Sequence, residues 1–205
     1  VTQQERQQRS QQMILEAALA EFGTHTFDAV SVNSICAKHH ISKGLLYHYY
    51  PGKDALFLLC VGETFTQLNA YLRAHVQCDP QDVSGGLQRF FLARQTFFAQ
   101  HPQHRQVFEN AVFHAPAHLK EEIARLRAPL RATNCRIISG IINQTVLRPS
   151  LEAQEAFAYF ESVECLFWTL LETYQHQAHA GAAEDFEQTA KKLLDMVLFG
   201  IARQN

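Results

Sequence analysis

The stretch SVNSICAKHHISKGLLYHYYPGK, Ser31 to Lys53, decides the fold. It holds two short helical patterns, each opened by a serine, with a break around His39 and His40. Ser31 is placed to cap the first, its hydroxyl accepting from an orphan backbone N–H. Val32, Ile35 and Cys36 then share one face. Ile41 anchors the turn, and Ser42 offers a second cap. The second helix follows from Lys43 to Tyr50 and stops at Pro51-Gly52, since proline cannot continue the backbone ladder. A helix-turn-helix module has this form, and such modules lay their second helix in the DNA major groove.

The second helix is unusual as a piece of packing. Ile41, Leu46 and Tyr50 suit the buried side, which leaves Lys43, Gly44, Leu45, Tyr47, His48 and Tyr49 on the other. Glycine inside a helix costs roughly 1 kcal/mol relative to alanine. Its presence at 44 is explained if something large approaches that surface. Lysine, histidine and tyrosine suit phosphates and base edges, and Leu45 suits a thymine methyl.

On these residues the chain resembles the tetracycline-repressor (TetR) family of one-component bacterial transcription regulators. The resemblance rests on Ile14-Leu15-x-Ala17-Ala18 and Phe22, on Ser31-Val32-x-x-Ile35, on Ile41-Ser42-Lys43-Gly44-x-Leu46-Tyr47-His48-Tyr49-Tyr50, and on Lys53-Asp54-x-Leu56. It implies an all-α protein of about nine helices. A three-helix DNA-binding head would occupy residues 1–52, and an effector-binding and dimerisation body residues 53–205. It implies that Ser42, Lys43, Gly44, Tyr47, His48 and Tyr49 face DNA, that Lys53 pairs with a phosphate, and that Ser31 and Val32 approach the backbone. Two departures stand out. The family usually has glycine in the turn where this chain has His40, and again after the first helix where it has Thr26. Histidine tolerates a left-handed backbone better than most residues, whereas β-branched threonine does not. The loop from Gly23 to Ala29 is therefore expected to differ, with Gly23 ending the first helix.

Composition sets bounds. The chain has 205 residues, 47% of them hydrophobic, few glycines and prolines, and a formal net charge of −2. Within residues 1–60, Arg6, Arg9, Lys38, Lys43 and Lys53 balance Glu5, Glu16, Glu21, Asp28 and Asp54. A purely electrostatic case for DNA is therefore weak, and local placement carries it. The polar opening VTQQERQQRSQQ carries no apolar signal segment, and the apolar runs are too short to span a bilayer. A cytoplasmic location with no membrane partner is expected. The five cysteines form no C-x-x-C pair and read as reduced, buried thiols.

Helices are expected near 5–22, 53–76, 87–100, 103–113, 116–145, 151–176 and 183–202. Asp79-Pro80 marks one break, Gly85-Gly86 a weaker one, and Pro129 predicts a kink. The last two helices are apolar over much of their girth, with Phe157, Phe160, Phe167 and Leu171 on one, and Phe186, Ala190, Leu194, Val197, Leu198 and Ile201 on the other. Such helices bury two faces, either inside one chain or against a second copy. The resemblance favours a two-fold homodimer interface.

No phosphate-loop, dinucleotide, nucleophile-elbow or H-E-x-x-H motif occurs, and no cofactor is expected. His101/His104, His114/His118 and His176/His179 have spacings that suit a metal on one helix face, or simply helix surfaces. The body is rich in phenylalanine that suits either a pocket or a core. By the family's layout, an effector would lie among Phe91, Gln95, Phe98, Phe108, Asn110, Phe113, His114, Cys135 and Trp168. The expected function is a regulator, not an enzyme, probing double-stranded operator DNA as a dimer and released by a small, largely apolar molecule. The alternatives are a metal-responsive regulator and a helical-bundle enzyme.

Overall fold

The computed structural model describes residues 2–77, 83–143, 149–152, 154–156, 158–159 and 162. Its elements are α1 (Gln3–Phe22), α2 (Val32–Lys38), α3 (Lys43–Tyr49), α4 (Lys53–His75), α5 (Val83–Gln100), α6 (Pro102–Val112), a 3-10 turn (Ala117–Leu119) and α7 (Lys120–Asn143). No strand occurs among the described residues, in keeping with the all-α expectation. The two C-terminal helices expected over 151–176 and 183–202 lie largely or wholly outside the described residues. So do Phe157, Phe160, Phe167, Leu171, Phe186, Ala190, Leu194, Val197, Leu198, Ile201 and Trp168.

Two boundaries differ from expectation. Helix α5 begins at Val83 and runs through Gly85-Gly86, so the glycine pair is not a break. Two glycines in a helix cost propensity without removing a hydrogen bond, which proline would do. Downstream, Pro116 caps the 3-10 turn and α7 starts only at Lys120. Pro129 lies inside α7, which continues past it to Asn143.

The chain divides into two compact units. The first holds residues 1–72 and 94–132. Its core begins in the head, where Ile14, Ala18 and Phe22 of α1 are buried with Ile35, Ile41 and Leu46. Phe57 of α4 completes an aromatic cluster, its ring centroid 5.2 Å from Phe22 and 5.1 Å from Phe27. The core continues along α4, where Phe65 meets Phe108 of α6 at 5.8 Å. The second unit holds residues 73–93 and 133–205. Among its described residues Phe90, Ala93, Thr133, Asn134, Ile137 and Ile138 are buried.

Within the first unit α6 is fastened to the end of α1 by polar groups. The Asn110 amide, fully buried, donates to the carbonyls of Phe22 at 3.4 Å and His25 at 3.0 Å. Gly23 ends α1 as expected, at φ −80° and therefore without a left-handed turn. What calls for glycine there is proximity: a Cβ would lie 2.5 Å from the Leu19 carbonyl oxygen and 2.6 Å from Cβ of Gln103. Thr26 keeps a negative φ, since His40 is the only non-glycine residue with a positive one among those described.

His104 of α6 meets Thr64 of α4, with Nδ1 and Oγ1 2.8 Å apart and both side chains buried. Burial holds the His104 pKa below its ordinary value, nearby His101 adds to this, and Glu63 opposes it. The native chain therefore takes up this proton less readily than the unfolded chain. The His104 contribution should be constant above about pH 6.5, fall as pH drops below that, and level off under the native pKa. Urea midpoints at pH 8, 6.5 and 5 should decline more in the wild type than in His104→Gln. Parallel declines would show that this imidazole titrates freely.

Candidate nucleic-acid interface

The head's local structure follows from its caps. Ser31 Oγ accepts from the Ser34 N–H at 3.0 Å, and Ser34 Oγ accepts from the Ser31 N–H at 3.3 Å. This reciprocal capping box sets the start of α2, with serine where glutamate is more usual. At the other end His39 is the C-cap and His40 stands at φ 54°. The Ile41 N–H then donates to the Cys36 carbonyl at 3.0 Å. That six-to-one bond, across a left-handed residue, is the Schellman pattern that usually uses glycine. Histidine supplies it here. Buried Cys36 and Ile41 occupy the two positions that such an ending brings into apolar contact.

A second anchor went unread in the sequence. Glu21 is buried and receives Lys38 Nζ at 2.8 Å and His39 Nε2 at 3.4 Å. Burial alone would raise its pKa, but the hydrogen bonds and charges of Lys38 and His39 outweigh this and lower it. The carboxylate thus ties the last turn of α1 to the end of α2. Glu21 to Lys38 is a separation that helical periodicity along one element cannot reveal.

Ser42 caps α3, accepting from the Leu45 N–H at 3.1 Å. Leu46 is fully buried, and this fixes how α3 rolls. Ser42, Lys43, Gly44, Tyr47 and His48 are exposed, while Leu45 and Tyr49 are half-buried. Tyr47 is 50% exposed, a large fraction for an aromatic ring. A Cβ placed on Gly44 would meet no atom of the chain within 4 Å. Internal packing therefore does not demand glycine there. The surface is open to something outside the chain.

Ser31 is exposed and Val32 half-buried at the start of α2. Lys53 opens α4, its ammonium 4.2 Å from the Phe27 ring centroid and 3.4 Å from the Asp28 carbonyl oxygen. Beside it Asp54 meets His118 at 3.0 Å. The Phe27 ring face holds the ammonium while leaving hydrogens for a phosphate. Of the ten residues expected to face DNA, all lie at α2, α3 or the α4 start, within one compact unit.

The effector candidates are more scattered. Phe98 and Phe108 are buried, with ring centroids 5.1 Å apart. Phe91, Phe113 and Cys135 are half-buried, while Gln95 and His114 are exposed. Asn110 directs its amide hydrogens to chain carbonyls. Among the described residues α5 buries the polar side chain of Arg94, 3% exposed, with its guanidinium carbon 5.6 Å from the Phe108 centroid. Sequence reading missed it, because an arginine one residue from Gln95 looks like surface. Among the described residues no group of three or more histidine, cysteine or acidic side chains could hold a metal. Cys36 and Cys60 are unbridged, buried thiols, and burial pushes the Cys60 pKa up. No helix of the described residues is long and apolar enough to cross a membrane.

Comparison with known proteins agrees with this geometry. The family model described as "Bacterial regulatory proteins, tetR family" matches residues 14–60, which run from α1 into α4. The HTH-type transcriptional repressor SCO4008 of Streptomyces coelicolor is 29% identical over 145 residues, covering 67% of this chain and 70% of that protein. The HTH-type transcriptional repressor NicS of Pseudomonas putida is 22% identical over 158 residues, covering 77% of this chain and 69% of that protein. A TetR family transcriptional regulator from Chloroflexus aurantiacus shares the fold, with a TM-score of 0.67 at 20% identity over 96% of this chain and 95% of that one. These relatives are regulators rather than enzymes. The match over residues 14–60 and the open α3 surface make this part of the chain a DNA-binding head of the tetR type, and the repressors aligned along most of the chain support a DNA-binding transcription regulator.

Proposed function

We propose that the chain is a repressor that binds a palindromic operator as a two-fold dimer and leaves it when a small, largely apolar effector binds. The observation that carries the DNA half is the surface of α3. Leu46 holds the helix by its buried side, and Lys43, Gly44, Tyr47 and His48 stand outward with no chain atom near Gly44. Residues 1–52 act as the reading head and 53–205 as the sensing and dimerisation body. Dimerisation runs through the apolar faces of the last two helices, Phe157 to Leu171 and Phe186 to Ile201. Two α3 helices then enter successive major grooves, roughly 34–36 Å apart or somewhat more in a wide dimer.

Lys53 pairs with a phosphate, while Tyr47 and Leu45 meet base edges. The effector is recognised by body residues of the first unit, among them Phe98, Phe108, Phe113, Gln95 and His114. That such an effector carries substantial apolar surface follows from the phenylalanine content of α5 and α6. Its binding favours a body conformation in which the heads no longer match the groove spacing.

The test uses a duplex from the inverted repeat nearest the protein's own coding region. Lys53→Ala should make the slope of log affinity against log salt shallower by about 0.9 for each head engaged, one phosphate contact per head and about 1.8 for the dimer. Tyr47→Ala should weaken operator binding by about 1–3 kcal/mol while leaving the salt slope nearly unchanged. An unaltered slope in the lysine variant would remove Lys53 from the interface. For any candidate effector, linkage demands that a tenfold loss of operator affinity be matched by tenfold weaker effector binding to the DNA-bound protein, about 1.4 kcal/mol.

A further inference from the structure

The start of α4 carries a charge conflict. Lys53 and Asp54 stand side by side in its first turn. An acid there suits the positive end of the helix, which favours Asp54. A phosphate brought to Lys53 would meet that same carboxylate as a like charge. A distant segment of the chain answers the conflict. The Leu119 N–H donates to the Pro116 carbonyl at 2.9 Å and closes the 3-10 turn before α7. Leu119 is buried and anchors this turn, while His118 beside it is exposed. The Nε2 atom of His118 lies 3.0 Å from Asp54 Oδ2.

The imidazole touches both sides of the Lys53 site. Its ring meets the Phe27 ring edge to face, with centroids 6.3 Å apart at 65°. Phe27 carries the Lys53 ammonium 4.2 Å from its centroid, and the Asp28 carbonyl receives it at 3.4 Å. Lys53 is thus engaged with Phe27 and Asp28, and Asp54 with His118. An ionised carboxylate only accepts, so Nε2 carries the hydrogen of that bond. Nδ1 is then the nitrogen that takes a proton from water when the ring becomes charged. Other titratable groups stand around this turn. His25 turns its ring to Thr24 and the Glu21 carbonyl, 2.8 and 3.2 Å away. On the segment of His118 itself stand His114, Lys120, Glu121 and Glu122, with Glu121 3.4 Å from Arg125.

We propose that His118 is a positioning residue for the Lys53 phosphate contact. Its hydrogen bond keeps Asp54 from competing for the lysine. Its protonated form offsets the Asp54 charge, so DNA binding takes up a proton at this pair. The proposal rests on the reading of Lys53 as a phosphate contact and adds pH as a variable that tunes it. Histidine is the side chain whose charge ordinarily changes between about pH 5 and 8. Phosphates nearby favour the charged ring, and by linkage the charged ring favours the phosphates equally. A unit charge about 6 Å from a phosphate across water is worth roughly a threefold change in affinity.

The experiment measures binding of the full-length chain to a labelled duplex of about 40 base pairs of arbitrary sequence, by anisotropy at low salt and at about pH 5.5 and 8.5. Between these, the wild type should lose about threefold more affinity for each head engaged than His118→Gln, whose amide keeps the bond to Asp54 but cannot titrate. Every other histidine titrates in both proteins and cancels in the comparison. At the higher pH His118→Ala, which releases Asp54, should bind more weakly than His118→Gln. Asp54→Asn should there bind about threefold tighter for each head than the wild type. The His118 and Asp54 side chains are both more than half exposed, so thermal midpoints should stay close to that of the wild type. Parallel pH profiles for the wild type and His118→Gln would overturn the proposal, as would an Asp54→Asn protein that binds no tighter. An unchanged salt slope in Lys53→Ala would overturn the Lys53 reading and this one with it.

Discussion

Phe57→Ala should destabilise the first compact unit by about 3–5 kcal/mol, the usual cost of emptying an aromatic site in a packed core. The ring is fully buried and lies against both Phe22 and Phe27, so its loss opens a void between α4, the end of α1 and the loop that follows. Domains commonly hold only about 5–15 kcal/mol in total, so the variant should be close to unfolding at growth temperature. Urea denaturation followed by far-ultraviolet circular dichroism would give the difference from midpoints at equal slope. Phe57→Leu should recover most of the loss because it refills much of the volume. A cost under about 1 kcal/mol for the alanine variant would mean that the cluster relaxes around the gap. DNA binding should weaken in step, since Phe27 holds the Lys53 ammonium and would lose its own support.

Asn110→Leu should cost about 2 kcal/mol although it conserves volume, because it strips two carbonyls of their donor. Those carbonyls, of Phe22 and His25, belong to the end of α1, whereas Asn110 belongs to α6. Asn110→Asp should be worse than the leucine variant, since a carboxylate would face two carbonyl oxygens without a hydrogen to offer. Hydrogen exchange should quicken through residues 22–30 in both variants before it quickens along α4. The outcome also separates two roles for this residue. If Asn110 served only to orient an effector, the effector-free protein would unfold at the same urea concentration with leucine as with asparagine.

Much of the head was legible from local pattern. Ser31 and Ser42 announced caps, Pro51 announced a stop, and Leu46 with Ile41 announced which side of α3 is buried. His40 could be assigned the left-handed turn because few other side chains tolerate it, and it stands at φ 54°. Such features depend on neighbours within four residues, so the linear sequence contains them. The outward face of α3, with Lys43, Gly44, Leu45, Tyr47, His48 and Tyr49, followed by subtraction once the apolar positions were turned inward, whereas Ser31, Val32, Ser42 and Lys53 came from the family resemblance.

What escaped the sequence depends on pairs far apart in it. Nothing local joins Glu21 to Lys38 and His39, Thr64 to His104, or Asn110 to the carbonyls of Phe22 and His25. Gly23 suggested a helix end from sequence, but the space for a side chain there is closed not only by the Leu19 carbonyl of its own helix but also by Gln103, eighty positions later. The exposure of Gln95 and the burial of Arg94 were likewise decided by how α5 rolls, since adjacent residues on a helix point about 100° apart. By itself the sequence determined the helices of the head, their caps and which side of α3 is buried, because these rest on short-range backbone chemistry. Only tertiary structure decided which polar groups fasten α6 to the reading head, because burial and partnership arise between elements that the chain brings together.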